Sequence, residues 1–263
     1  MKEPYPVQRR LIDHIKKTMK KDPDVLALLL SGSIAHGWHT KASDVDVNIV
    51  LSEEAYRKKM TDGKPTHFAL GFPYFPTGYV DGKNISLEHL RKVAERGNEP
   101  TRFALHDAQV LFDKTEQVSA LLEAIGRYPE ELAEENARRF YAQLQAWRWY
   151  AGEALKKKDR YLLDASVSKL VLFSARLILL ENRVFFPYHK WMMRALEEAP
   201  QKPDGLLESI NRLLENKTKH NIDAVYHRIK RFRDWTGGAD ISGYFVRDAE
   251  MLWLRGEEYI EHI

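Results

Sequence analysis

Short apolar runs separated by polar turns mark the first part of this chain, and long helical periods mark the rest. Val7, Leu11, Ile15 and Met19 recur every four residues between Pro6 and Lys21, which predicts an amphipathic helix. Asp22-Pro23-Asp24 ends it, and the apolar run Val25–Leu30 reads as a buried strand. A second strand is expected over Val45–Leu51 and a helix over Glu53–Met60, closed by the turn residues Thr61–Pro65. Residues 66–78 mix aromatics, Pro and Gly and give no assignment. Tyr79–Ile85 reads as a strand or a hairpin, Ser86 as the N-cap of a helix from Leu87 to about Arg96, and Ala108–Phe112 as a further strand.

From about Glu116 the pattern is helical throughout. Val118–Ile125, Glu130–Lys157 and Tyr161–Glu181 come first, then Met192–Glu198, Leu206–Glu215, Ile222–Arg231 and Asp248–Tyr259. Strands followed by helices predict an α+β fold in which a sheet-containing domain, residues 1–115, precedes a helical bundle, residues 116–263, with the boundary near 113–117.

Composition narrows the functional classes. The net charge of +3, from 41 basic against 38 acidic residues, is too small to argue for nucleic-acid binding. The chain has no cysteine, which excludes disulfides and thiolate metal sites. Met1-Lys2-Glu3-Pro4 lacks the pattern of a signal peptide, and the longest apolar stretches are too short to span a bilayer. The expectation is a soluble, cytoplasmic protein with no membrane partner.

The chemistry concentrates in one stretch. Behind the first apolar run stand Gly32-Ser33, and the second run opens with Asp44-Val45-Asp46. Residues i and i+2 of a strand share a face, so Asp44 and Asp46 project together while Val45 and Val47 turn into a core. Two ionised carboxylates held this close repel, and a hard divalent cation between them resolves the conflict. Gly32 lets the backbone pass close to a ligand, and Ser33 with nearby amides offers donors to phosphate.

Gly32-Ser33, Gly37, Ser43, Asp44 and Asp46 together resemble the signature of the DNA polymerase β-like nucleotidyltransferase superfamily. A small mixed sheet followed by a helical bundle also resembles the two-domain antibiotic nucleotidyltransferases of the kanamycin and lincosamide type, whose second domain helps form the acceptor pocket. The resemblance implies two Mg2+ ions on Asp44 and Asp46, an NTP substrate, usually ATP, and nucleotide contacts from Gly32, Ser33 and Ser43. It further implies a third carboxylate on a neighbouring strand, as metal ligand or as base on the acceptor hydroxyl. Asp81 is the first candidate, although Asp81-Gly82 also reads as a plain hairpin turn; Glu88 is the second, within a helix where an exposed Glu needs no explanation.

Weaker candidates surround these. His36 and His39 lie in the loop before the Asp pair, as phosphate contacts or, more in keeping with loop histidines, as solvated side chains. Lys41 and Arg102 are candidate nucleotide contacts. In the helical half Lys169 interrupts an apolar helix and is a candidate nucleotide contact facing the active cleft or a charge at a solvated edge; Lys190 is a candidate phosphate contact in the aromatic segment Phe185–Trp191, which reads as a ligand-stacking site or as a bundle corner. The expected activity is transfer of a nucleoside monophosphate, AMP from ATP, to a hydroxyl of a small molecule. The alternatives are transfer to a protein or RNA, or a nucleotide-binding module without turnover. The kanamycin enzyme works as a dimer with a shared site, so the resemblance also allows a homodimer.

Overall fold

The computed structural model describes residues 2–72, 75 and 78–256. These form two compact units, divided between Arg127 and Tyr128.

The first unit runs α1 (Pro6–Met19), β1 (Val25–Ser31), α2 (Gly32–Ala35), β2 (Val45–Leu51), α3 (Glu53–Thr61), β3 (Thr66–Ala69), β4 (Val80–Ser86), α4 (Leu87–Arg96), α5 (Glu99–His106), β5 (Gln109–Asp113) and α6 (Val118–Gly126). The strands make one sheet in the order β3-β4-β2-β1-β5. β1 pairs antiparallel with β2 and β5, β3 antiparallel with β4, and β2 parallel with β4, so the sheet is mixed.

Period-two alternation sorts the strand residues onto two cores. Leu28, Leu30, Val45, Val47 and Ile49 bury with Leu11, Ile12 and Ile15 of α1 on one face. Ala27, Leu29, Val50 and Ile85 bury on the other with Leu90 and Val93 of α4, Leu105 of α5, and Val118, Leu122 and Ile125 of α6. That second core explains why the unit ends at Arg127 and not near residues 113–117 as expected. The apolar stripe of α6 closes the sheet face and stays with it.

Most elements fall where the pattern puts them, and Ser86 caps α4 by accepting from the His89 amide at 3.1 Å. Two were not anticipated. β3 lies in the unassigned stretch, and α5 is a two-turn helix capped by Asn98, whose Oδ1 accepts from the Thr101 amide at 3.1 Å. Tyr79–Ile85 is no hairpin: Asp81-Gly82 lies inside β4, where Gly82 packs against His67 and Val47.

The second unit is helical: α7 (Glu130–Lys157), α8 (Arg160–Glu181), α9 (His189–Glu198), α10 (Leu206–Glu215) and α11 (Lys219–Phe232). A left-handed Lys158, at φ 53°, ends α7, and Asp159 caps α8 by accepting from the Leu162 amide at 2.9 Å. Phe185 and Phe186 are buried, and the Arg176 guanidinium lies 4.2 Å over Phe140 and 4.7 Å over Phe186. The first two residues of the aromatic segment are therefore packed into this unit, while Tyr188, His189 and Lys190 are exposed. The expected helix over Asp248–Tyr259 is helical as far as it is described, with wide π-type turns over Arg247–Met251 and tight 3-10 turns over Leu252–Arg255, and its last residues lie outside those described.

Candidate active site

Register places the sequence candidates. Ser31 of β1 stands opposite Asp46 of β2, Asp46 beside Asp81 of β4, and Asp81 opposite Phe68 of β3. Directly paired residues share a face, so these four side chains form one row across four strands. Asp44 stands two residues before Asp46, and the Val45 amide donates to the Tyr79 carbonyl at 3.1 Å, which sets Tyr79 beside Asp44. Two rows result at one end of the sheet: Ser31, Asp46, Asp81 and Phe68, and next to it Asp44 and Tyr79. Asp46 is half-buried and Asp81 exposed.

Gly32 is what lets Asp46 occupy its place. Its φ of +62° is left-handed, and a Cβ there would meet Asp46 Oδ2 at 1.9 Å and Asp46 Cβ at 2.7 Å. The carboxylate thus lies directly against the Gly32 backbone, a close approach that no other residue type permits. The next residue, Ser33, is buried, and its hydroxyl finds no hydrogen-bond partner among the described residues. Buried hydroxyls are nearly always paired, so this one calls for a ligand.

Tyr79 is a site residue that motif reading missed. Its hydroxyl donates to Asp44, and that bond, then the charges of Asp44, Asp46 and Asp81 together with burial, push the phenol above its usual pKa. The tyrosine stays a neutral donor. A strand register could have revealed it; a local motif could not, because its neighbour Asp44 is remote in sequence.

The loop leading to Asp44 is held from outside. Gln8 of α1, fully buried, donates from Nε2 to the carbonyls of Thr40 and Ser43, both at 2.9 Å. Ser43 Oγ accepts from the Thr40 amide at 2.9 Å, which makes Ser43 a brace of this loop. Lys41 is exposed with its ammonium 5.9 Å from the Tyr5 ring.

Both loop histidines depart from the solvated reading. His39 is 1% exposed, and its Nε2 lies 3.1 Å from the Glu3 carbonyl. The His36 ring stacks on Phe103 at 4.4 Å, and its Nδ1 lies 2.8 Å from Asp107 Oδ2. His106 Nδ1 meets the other Asp107 oxygen at 2.9 Å. Hydrogen bonds from His106 and then His36 hold the Asp107 carboxyl well below the usual carboxylate range.

Arg102, a candidate nucleotide contact, is buried and donates to the carbonyls of Gly97 at 2.9 Å, Ala94 at 3.0 Å and Ile125 at 3.1 Å. Its guanidinium fastens α4, α5 and α6 together. Glu88 is exposed in the first turn of α4, ion-paired with Arg91 and Lys92 on its own helix. Lys169 is partly exposed on α8, and Lys190 is exposed on α9 with its ammonium 5.2 Å from the Trp191 ring; both belong to the second unit.

A divalent cation fits the donor set in kind. Asp44 and Asp46 offer hard oxygen ligands on one face, against a Gly32 cradle that a Cβ would fill. Among the described residues no three His, Asp or Glu side chains gather closely enough to enclose one ion.

Residues 12–134 match the nucleotidyltransferase domain family. This match bears out the resemblance of the first part of the chain to the DNA polymerase β-like nucleotidyltransferase superfamily. The match supports a nucleotidyltransferase, and Gly32, Asp44 and Asp46 all fall within the matched residues. Residues 98–192 also match a domain of unknown function, DUF4037. The crystal structure of a nucleotidyltransferase-like protein from Exiguobacterium sibiricum 255-15 is similar over 95% of this chain and 80% of that one, at 11% identity and a TM-score of 0.48. No curated protein matches the sequence. Among the described residues no helix is long and apolar enough to cross a membrane.

Proposed function

We propose that this nucleotidyltransferase moves a nucleoside monophosphate, AMP from ATP, to a hydroxyl of a small molecule in a magnesium-dependent reaction. The observation that supports this reading is the row Ser31, Asp46, Asp81 with Gly32 packed against Asp46, which brings the Gly32-Ser33 turn and two carboxylates side by side. Asp44 and Asp46 would hold the metal, which when bound neutralises charge that builds on the triphosphate during attack.

This chain's own groups do the rest. The Ser33 hydroxyl and the amides of its turn receive the outer phosphates, which gives the buried hydroxyl the partner it lacks. Asp81, exposed beside Asp46, takes the proton of the acceptor hydroxyl on a carboxylate oxygen. The acceptor oxygen bonds to the α-phosphorus, the bond from that phosphorus to the bridging oxygen breaks, and pyrophosphate leaves with the electron pair. Tyr79 donates to Asp44 and fixes the orientation of that carboxylate.

Thermal shift with each NTP, with and without Mg2+, tests the reading on the wild type and an Asp44→Ala/Asp46→Ala variant. Saturation at about 100 times Kd stabilises a fold by about 2.7 kcal/mol. A magnesium-dependent rise in melting temperature that the variant loses supports the site and names the base. A rise that survives in the variant, or no rise with any nucleotide in the wild type, overturns it.

A further inference from the structure

The row of site residues does not stop at Asp81. Its fourth member is Phe68, 59% exposed on the edge strand β3, and Leu70, two residues further on, is 66% exposed. The Phe68 ring lies 5.3 Å from the Tyr79 ring at an interplanar angle of 46°. Tyr79 in turn reaches Asp44 with its hydroxyl, so one aromatic side chain joins the carboxylates to this exposed apolar edge. Along β3 and β4 the face is open, with Thr66, Phe68, Asp81 and Lys83 all exposed. Exposed aromatics are unremarkable singly; two in contact beside a reactive carboxylate form a surface.

Direction adds the second half of the argument. Neighbouring strands are about 4.8 Å apart, so the row from Ser31 to Phe68 spans about 14 Å. The phosphate turn occupies the β1 end. In phosphoryl transfer the attacking and leaving oxygens lie roughly in line, so a leaving pyrophosphate at the β1 end requires the acceptor to approach from the β3 end. Phe68, Leu70 and Tyr79 are what it meets there.

We propose that Phe68, Leu70 and Tyr79 form the acceptor seat, which takes a small molecule whose hydroxyl is carried on a ring with an apolar face. The face lies on Phe68 and Tyr79, and the edge hydroxyl points to Asp81. The proposal rests on the nucleotidyl-transfer reading above and adds the acceptor class to it. Saturated sugar rings and aromatic alcohols share this chemistry.

Saturation-transfer NMR on the full chain tests the seat, with methyl β-glucopyranoside, benzyl alcohol and glycerol as probes. At least one ring probe is expected to receive saturation on its ring protons, and glycerol little. Phe68→Ala should weaken that ring probe about fivefold, the equivalent of about 1 kcal/mol of aromatic contact, and Phe68→Tyr should keep it. The ring probe that responds separates sugar from aromatic sources. No ring-proton transfer in the wild type, or equal transfer in Phe68→Ala, overturns the seat. So does a dimer in sedimentation that Phe68→Ala dissolves, since the edge then serves a second copy. Mg-ATP thermal shift on the same samples separates the two readings. A shift retained in Phe68→Ala with the ring probe unaffected refutes the seat alone; no shift in the wild type refutes the nucleotide site beneath it.

Discussion

Replacing Gly32 by alanine tests the geometry of the site more sharply than removing a carboxylate does. At φ +62° the new side chain adopts a left-handed backbone, which costs about 1–2 kcal/mol. For a unit of this size that lowers the melting temperature by about 4–8 °C. The larger effect is local. The new Cβ would stand 1.9 Å from Asp46 Oδ2, and ordinary contact begins near 3.4 Å, so the carboxylate must retreat by about 1.5 Å. Misplacement on the order of 1 Å can lower rates about a hundredfold. Gly63 supplies the control: its φ is +66°, yet a Cβ there meets nothing within 4 Å. Gly63→Ala therefore carries the backbone penalty without the collision. Calorimetric titration with Mg-ATP, paired with thermal melts, reads both effects. The two variants should melt at similar temperatures, while Gly32→Ala alone loses nucleotide affinity. If Gly32→Ala binds Mg-ATP as tightly as Gly63→Ala, the close packing of Asp46 on this glycine has no functional meaning.

Two further outcomes follow from the same unit. Asp107 raises the pKa of His106, its bond outweighing the downward push of burial, and a raised imidazole stabilises the fold below its unfolded value of 6.5 and ceases to do so as pH rises through the folded value. Asp107→Asn should therefore lower the melting temperature most at about pH 5–6 and least above about pH 8, by less than about 1 kcal/mol because these groups are partly exposed; a pH-independent difference in melting temperature would contradict this. Arg102→Leu leaves the carbonyls of Gly97, Ala94 and Ile125 without this donor and should destabilise the first unit by about 3 kcal/mol in denaturant titration. Its Mg-ATP thermal shift should persist; a stable Arg102→Leu protein that no longer responds to nucleotide would restore the direct-contact role.

What the sequence makes legible is what repeats locally. The period of four in α1, the apolar runs of β1 and β2 and the Ser86 cap are each written within a few residues. So is the face shared by Asp44 and Asp46, because strand alternation needs no tertiary information. Asp81 is a candidate because the resemblance implies a third carboxylate on a neighbouring strand, but its position beside Asp46 depends on the parallel register of β2 with β4, which no local pattern states. The same gap hides Tyr79, Gln8 and Phe68, each of which reaches the site through pairing or packing. Arg102 and the loop histidines were misread for a related reason. A charged or titratable side chain near a motif looks available until the fold shows which carbonyls and carboxylates have claimed it. β3 escaped notice because it is a four-residue edge strand whose alternation is too brief to stand out.

On the proposed reading, the buried hydroxyl of Ser33 gives the site a preference among nucleotides. An unpaired buried hydroxyl destabilises by about 1–3 kcal/mol, and a ligand relieves that penalty by placing an acceptor oxygen within reach. Two molecules with the same base and sugar would then be told apart by whether their outer phosphates arrive at this turn. On the proposed reading the triphosphate gains the Ser33 hydrogen bond and the nucleoside does not, so the two differ by about 1–3 kcal/mol at this one hydroxyl.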